Sequence, residues 1–141
     1  MKRKGFTLVE LMVVVLIVAI LAAVTIPLLR GRIDAAKWAE GKAGIGTIAT
    51  AIRAMYAESG GNSTYGSEPA TLGDLGFESG DLDGTYFSGP GDDGTGGDYA
   101  FNIVTWSESD LVFTVTCTSP EGGPDGGPFT YDSSDGSLNE D

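Results

Sequence analysis

Apolar and polar positions along the chain change their pattern twice. From Phe6 to Leu29 the residues are almost all apolar, with Glu10 as the single charge. Twenty-four residues of helix measure about 36 Å, enough to cross a hydrocarbon core of about 30 Å. The stretch without interruption, Leu11–Val24, is shorter at 14 residues. Pro27 lacks a backbone donor and disfavours helix at Ile26, so a kink where the helix leaves the membrane is one expectation. From Gly31 to Ser59 the pattern turns amphipathic. Ile33, Ala36, Ala43, Ile48, Ile52 and Met55 form a rough helical stripe. Gly41, Gly44 and Gly46 interrupt it at about 1 kcal/mol each relative to alanine, either as tolerated residues or to allow close packing or bending. A single helix from Phe6 to Ser59 would be about 80 Å long. A domain of about 80 residues cannot cover that length, so half of the helix needs lipid or other subunits against it.

Beyond Ser59 the period falls from helical to alternating. The segment "ESGGNSTYGSEPATLGDLG" ends the helix, and "ATLGDLGF" can hold one helical turn. Strands are expected at 84–89, 98–107, 110–119 and 127–132, with "SESD" as a hairpin turn. The last three read as an antiparallel meander laid on the outer half of the helix, an α+β fold. The organisation expected is a short leader at 1–5, an apolar helix at 6–29, an amphipathic continuation at 30–59 and a strand-rich head at 60–141.

Charge sharpens this division. All eight basic residues lie between Lys2 and Arg53, and seventeen of the twenty acidic residues lie beyond them. Such a surface excludes nucleic-acid binding through the C-terminal half, because phosphate contacts supply most of that affinity. The recurring aromatics Tyr86, Phe87, Tyr99, Phe101, Trp106, Phe113, Phe129 and Tyr131 argue for a folded head rather than a disordered acidic tail. Lys2, Arg3 and Lys4 before the apolar run predict a cytoplasmic N-terminus, with everything past Leu29 across the membrane.

Candidate chemistry is sparse. The chain has no histidine, which removes imidazole acid–base catalysis, serine–histidine triads and imidazole metal ligands. The lone Cys117 alternates with Leu111, Phe113 and Val115 and reads as a buried thiol. Phe6, Trp38 and Tyr56 are too widely spaced for an electron path and read as core or interface residues. No pair of carboxylates is marked for hydrolysis, and an enzyme is not expected.

Glu10 is the anomaly. A carboxylate at depth in lipid costs roughly 2.5–3.5 kcal/mol on insertion scales. "TLVE" also matches a capping box, with Thr7 as N-cap and Glu10 reaching back to its amide. A secretory signal peptide is disfavoured, since "AILAAVTIPLL" holds no A-x-A cleavage site. A plain anchor gives Glu10 no role.

"KGFTLVE" resembles the prepilin motif of type IV pilins and type II secretion pseudopilins, and the likeness runs on through "LMVVVLIVAILAAVTIPLL". That resemblance implies cleavage after Gly5 by a membrane aspartyl peptidase on the cytoplasmic side. It implies N-methylation of the new terminus at Phe6. The mature chain would then be Phe6–Asp141, 136 of the 141 residues. It also implies that Glu10 neutralises the Phe6 amine of a neighbouring subunit and so sets register in a homopolymer. In some filaments of this family the stretch around Pro27 becomes non-helical. The partners implied are the peptidase and methyltransferase, an inner-membrane assembly platform and other copies of the chain. The implied location is the inner membrane before assembly, and an extracellular filament or periplasmic pseudopilus after it. A signal-anchored periplasmic binding domain is the reading outside this family.

In the head, Asp92, Asp93, Asp98, Asp125, Asp132 and Asp135 lie in glycine-rich loops. They are candidate calcium ligands, although no EF-hand spacing is present. A solvated acidic face is the other reading, and no cofactor is required. Arg30, Arg32, Lys37 and Lys42 are expected to meet acidic loops of neighbouring subunits.

Overall fold

The computed structural model describes residues 5–61 and 68–140. Lys2, Arg3 and Lys4 of the expected leader, and positions 62–67 of the connecting region, lie outside the described residues. One helix, α1 (Leu8–Ser59), precedes four strands: β1 (Tyr99–Ser107), β2 (Asp110–Cys117), β3 (Phe129–Asp132) and β4 (Leu138–Glu140). The strands form one antiparallel sheet in the order β1-β2-β3-β4. The class is α+β, as the sequence implied. The chain divides into two compact units, Met1–Ile33 and Asp34–Asp141.

The second unit is built on alternation. In β2, Phe113, Val115 and Cys117 point inward and are almost completely buried. They share one core with Trp38, Ile45, Ile48, Ala49 and Ile52 of α1, Tyr99 of β1, and Leu72 and Phe87 from the loops. Ile48 and Ile52 have no exposed surface, and burying such a side chain is worth about 1.5–3 kcal/mol. Ser107 pairs with Asp110 across the expected hairpin turn. A register shift between Ile103 and Thr105 leaves Val104 61% exposed. Such a bulge on an edge strand hinders pairing with another sheet.

Two expectations are corrected and one strand is added. The buried stripe of α1 runs through Trp38, Gly41, Gly44, Ile45, Ile48, Ala49 and Ile52, whereas Ile33, Ala36 and Ala43 are exposed. Tryptophan sets this phase: its ring lies 5.1 Å from Phe87 and 4.8 Å from Phe129, and its Nε1 donates to the Asp125 carbonyl at 2.9 Å. Residues 84–89 form no strand. Their amides go to carboxylates instead: Glu40 Oε1 accepts from Tyr86 and Phe87, and Asp98 Oδ2 accepts from Ser88. β4 is an addition, three exposed residues too short to alternate visibly.

The glycines divide by environment. A Cβ on Gly44 would lie 2.5 Å from the Tyr99 ring, and one on Gly41 would lie 2.9 Å from Cys117 Sγ. Both are demanded by close packing. A Cβ on Gly46 meets nothing within 4 Å, so that glycine is merely tolerated.

Candidate functional site

The N-terminal unit holds the residues the sequence singled out. Gly5, Phe6 and Thr7 precede the helix, and Phe6 is 79% exposed. A Cβ on Gly5 would meet nothing within 4 Å, so no packing of this chain requires glycine there. Thr7 caps the helix, and its carbonyl accepts the first helical bond, from the Leu11 amide.

Glu10 closes the capping box anticipated from "TLVE". The Thr7 amide donates to Glu10 Oε2 at 2.9 Å, and the Thr7 hydroxyl donates to the same oxygen at 2.7 Å. In return the Glu10 amide donates to Thr7 Oγ1 at 3.2 Å. A cap of this kind stabilises a helix end by about 0.5–2 kcal/mol. The local reading of Glu10 is therefore realised within one chain.

Past Glu10 the helix presents apolar side chains all round. The large hydrophobic residues from Leu8 to Leu29 are about half exposed or more, from Val13 at 49% to Leu8 at 73%. By length and composition this helix can cross a membrane. Its exposed apolar face is far larger than a soluble surface tolerates. Pro27 lies inside α1, which continues through it. Thr25 folds its hydroxyl back onto the Leu21 carbonyl at 2.8 Å, one turn earlier.

The basic residues near this unit separate into two kinds. Arg30 and Arg32 are exposed and make no ion pair among the described residues. Lys37 pairs with Asp34 at 3.5 Å and lies 5.3 Å from the Tyr86 ring centroid. Lys42 lies 3.8 Å above Phe129. The two lysines thus have partners inside their own head.

The six candidate calcium ligands are not gathered. No group of three or more acidic, histidine or cysteine side chains suited to a metal comes together among the described residues. Three of the six serve local turns, and Asp98 joins two separate loop positions. Asp93 accepts from the Thr95 amide, Asp132 from Ser134, Asp135 from Ser137, and Asp98 from both the amide and hydroxyl of Ser88. The Asp125 contact is its backbone carbonyl on Trp38. The Thr95 hydroxyl and amide hold Asp93 below the usual carboxylate range, and Ser137 does the same to Asp135. Such groups stay charged and keep their loops shaped.

Two functional side chains of the head were not anticipated. For Glu40, partial burial is the largest influence and raises its pKa. The amides of Tyr86, Phe87 and Thr85 together outweigh that and leave it lowered. Asp74 caps its own turn, accepting from the amides of Ala70 and Thr71 and from the Thr71 hydroxyl. The spacing Thr71-x-x-Asp74 repeats that of Thr7-x-x-Glu10, and it could have been read from the sequence. Cys117 is buried as expected, and burial with the nearby Asp98 charge pushes its thiol up to about 12. It is no nucleophile at neutral pH.

Residues 1–26 match the family model described as the prokaryotic N-terminal methylation motif. No curated protein and no solved structure matches the chain. The chain therefore carries a prepilin-type motif of the type IV pilin and pseudopilin kind. That motif marks a pilin-like structural precursor handled by prepilin peptidase, and with the apolar helix it fits a membrane-anchored precursor.

Proposed function

We propose that this chain is the structural subunit of a type IV pilus-like filament. It is cleaved after Gly5, N-methylated at Phe6 and polymerised through its apolar helix. The observation that carries this reading is the methylation motif sitting on a helix whose apolar side chains stay exposed among the described residues. A membrane covers that surface before assembly, and copies of the same helix cover it afterwards. In the filament Glu10 meets the Phe6 amine of a neighbour. A charge pair in low dielectric forms only at the correct axial offset, so it specifies register more than it adds net stability. Pro27 marks where the helix can yield on assembly. No cofactor takes part. The partners are the peptidase, the assembly platform and further copies.

The pseudopilin reading stays beside it because Cys117 is buried and unpaired, leaving the C-terminal loops without a disulfide. The pseudopilus would be short and periplasmic. Mass spectrometry of the chain extracted from cells tests both against a simple anchor. Loss of Met1–Gly5 with a methyl group on Phe6 is the expected result. An intact Met1–Gly5 in the mature protein would contradict both.

A further inference from the structure

Four aspartates of the head precede glycine: Asp83, Asp93, Asp125 and Asp135. Glycine leaves the amide that follows unshielded, because no Cβ stands beside it. At such a pair the amide nitrogen can attack the aspartate Cγ, so all four are the same reaction centre in sequence. The fold treats them differently. Asp83 Oδ1 accepts from the Gly89 amide, Asp93 Oδ1 from Thr95 and Asp135 Oδ1 from Ser137. The amides after these three are also engaged. Gly84 donates to the Phe87 carbonyl, Gly94 to Gly91 and Gly136 to Asp132. Asp125–Gly126 has neither hold. Among the described residues no hydrogen bond reaches the Asp125 carboxylate or leaves the Gly126 amide. Both residues are exposed. The backbone on either side is anchored instead, by the Asp125 carbonyl on Trp38 Nε1 and by the Gly127 amide on Glu140 Oε1.

We propose that Asp125 is a self-modification site, the aspartate at which this chain isomerises to isoaspartate. The Gly126 nitrogen attacks Cγ of the protonated Asp125 side chain. The N–Cγ bond forms and a Cγ–O bond breaks. The hydroxyl leaves with the amide proton as water, and a cyclic succinimide remains. Water then adds at either ring carbonyl and breaks its C–N bond. Opening at Cγ restores aspartate. Opening at the main-chain carbonyl gives isoaspartate, with the peptide link through Cβ and Cγ and the former main-chain carbonyl as a free carboxylate. The net reaction is an isomerisation and needs no oxidant or cofactor. At the other three pairs, two hydrogen bonds must break before the same attack, which slows it. Asp93 and Asp135 are also held in the ionised form, the weaker electrophile. The product bears on the core. The Asp125 carbonyl is the acceptor for Trp38, which is buried against Phe87 and Phe129. Isomerisation takes that carbonyl out of the main chain and lengthens the loop by one carbon. A buried N–H left without its acceptor destabilises the fold, so the head weakens as isoaspartate accumulates.

The test ages the full chain in micelles for weeks in warm neutral buffer, with a parallel sample in urea. Peptide mass spectrometry with electron-transfer fragmentation locates isoaspartate. In the folded chain, isoaspartate at position 125 is expected to exceed that at 83, 93 and 135 by at least about tenfold each. In urea, where the hydrogen bonds are gone, the four positions are expected to react at similar rates. Equal amounts at the four positions of the folded chain would overturn the proposal. So would the same preference for position 125 in urea, since local sequence and not the fold would then set it. Asp125→Glu keeps the charge but would need a larger ring. It is expected to form no isomer there and to keep its melting temperature on ageing, while that of the unsubstituted chain falls. An equal fall in both would overturn the link to Trp38.

Discussion

Leu8–Ile33 and Asp34–Ser59 belong to one helix yet are built on different rules. The first stretch is apolar on every side and buries almost nothing within its own unit. The second buries a single stripe, from Trp38 through Ile52, in the core of the head. The same contrast extends to the polar groups. In the head, carboxylates are consumed by backbone amides of the head itself, as Glu40, Asp74 and Asp98 are. In the first stretch, Glu10 keeps one oxygen outside the bonds of its box. A head that satisfies itself folds as a unit, while a helix that does not is an element waiting for a partner.

The comparison breaks most decisively if Glu10→Ala assembles. This variant is expected to insert and to be cleaved, with its head melting unchanged, while filaments are lost; electron microscopy beside thermal melts reads both. Core truncation comes next. Ile52→Ala is expected to destabilise the head by about 2–5 kcal/mol, whereas Val14→Ala leaves head stability as it was, as urea titration of each in micelles would report. The glycines sharpen the contrast inside the head itself. Gly44→Ala forces a methyl into the Tyr99 ring and is expected to cost about 1–3 kcal/mol. Gly46→Ala, with open space around it, is expected to gain up to about 1 kcal/mol of helix propensity.

A smaller effect follows from Glu40. Its folded pKa is lowered from 4.5, so the folded state favours the ionised form. The stability it contributes is present above its unfolded value and is lost as pH falls through the folded one. Melting temperatures of the unsubstituted chain and Glu40→Gln are therefore expected to differ at pH 7 and to converge in acid. A constant difference across that range would remove the role given to the Glu40 charge. Smallest of all is calcium. Since no three suitable side chains gather among the described residues, adding calcium or a chelator is expected to leave the head's melting temperature where it was.

Most of the framework was legible because alternation and helical periodicity are local signals. β1, β2 and β3 fall within the expected strands, since aromatic and β-branched residues alternate there under flanking turns. The phase of the helix was legible only in part: Ile48 and Ile52 lie in the core as expected. Ile33 and Ala36 are apolar but belong to no core, and the true stripe is set by Trp38 and by two glycines whose missing side chains make room for Tyr99 and Cys117. The stretch 84–89 looked like a strand because Tyr86 and Phe87 lie between glycines that mark turns. The partner its amides choose, a carboxylate 46 residues earlier in the case of Tyr86, is a tertiary fact. The aspartates of the loops are ambiguous for a related reason. An aspartate before glycine or serine suits a metal and a turn equally well in sequence. At the N-terminus the capping box and the prepilin motif share the same letters, so "FTLVE" carries both readings at once.

The most direct measurement of the central claim is electron microscopy of filaments sheared from cells, with mass spectrometry of their protein. The account expects filaments containing this chain as Phe6–Asp141 with a methylated Phe6. Filaments that lack the chain, or that hold it with Met1–Gly5 still attached, would contradict it.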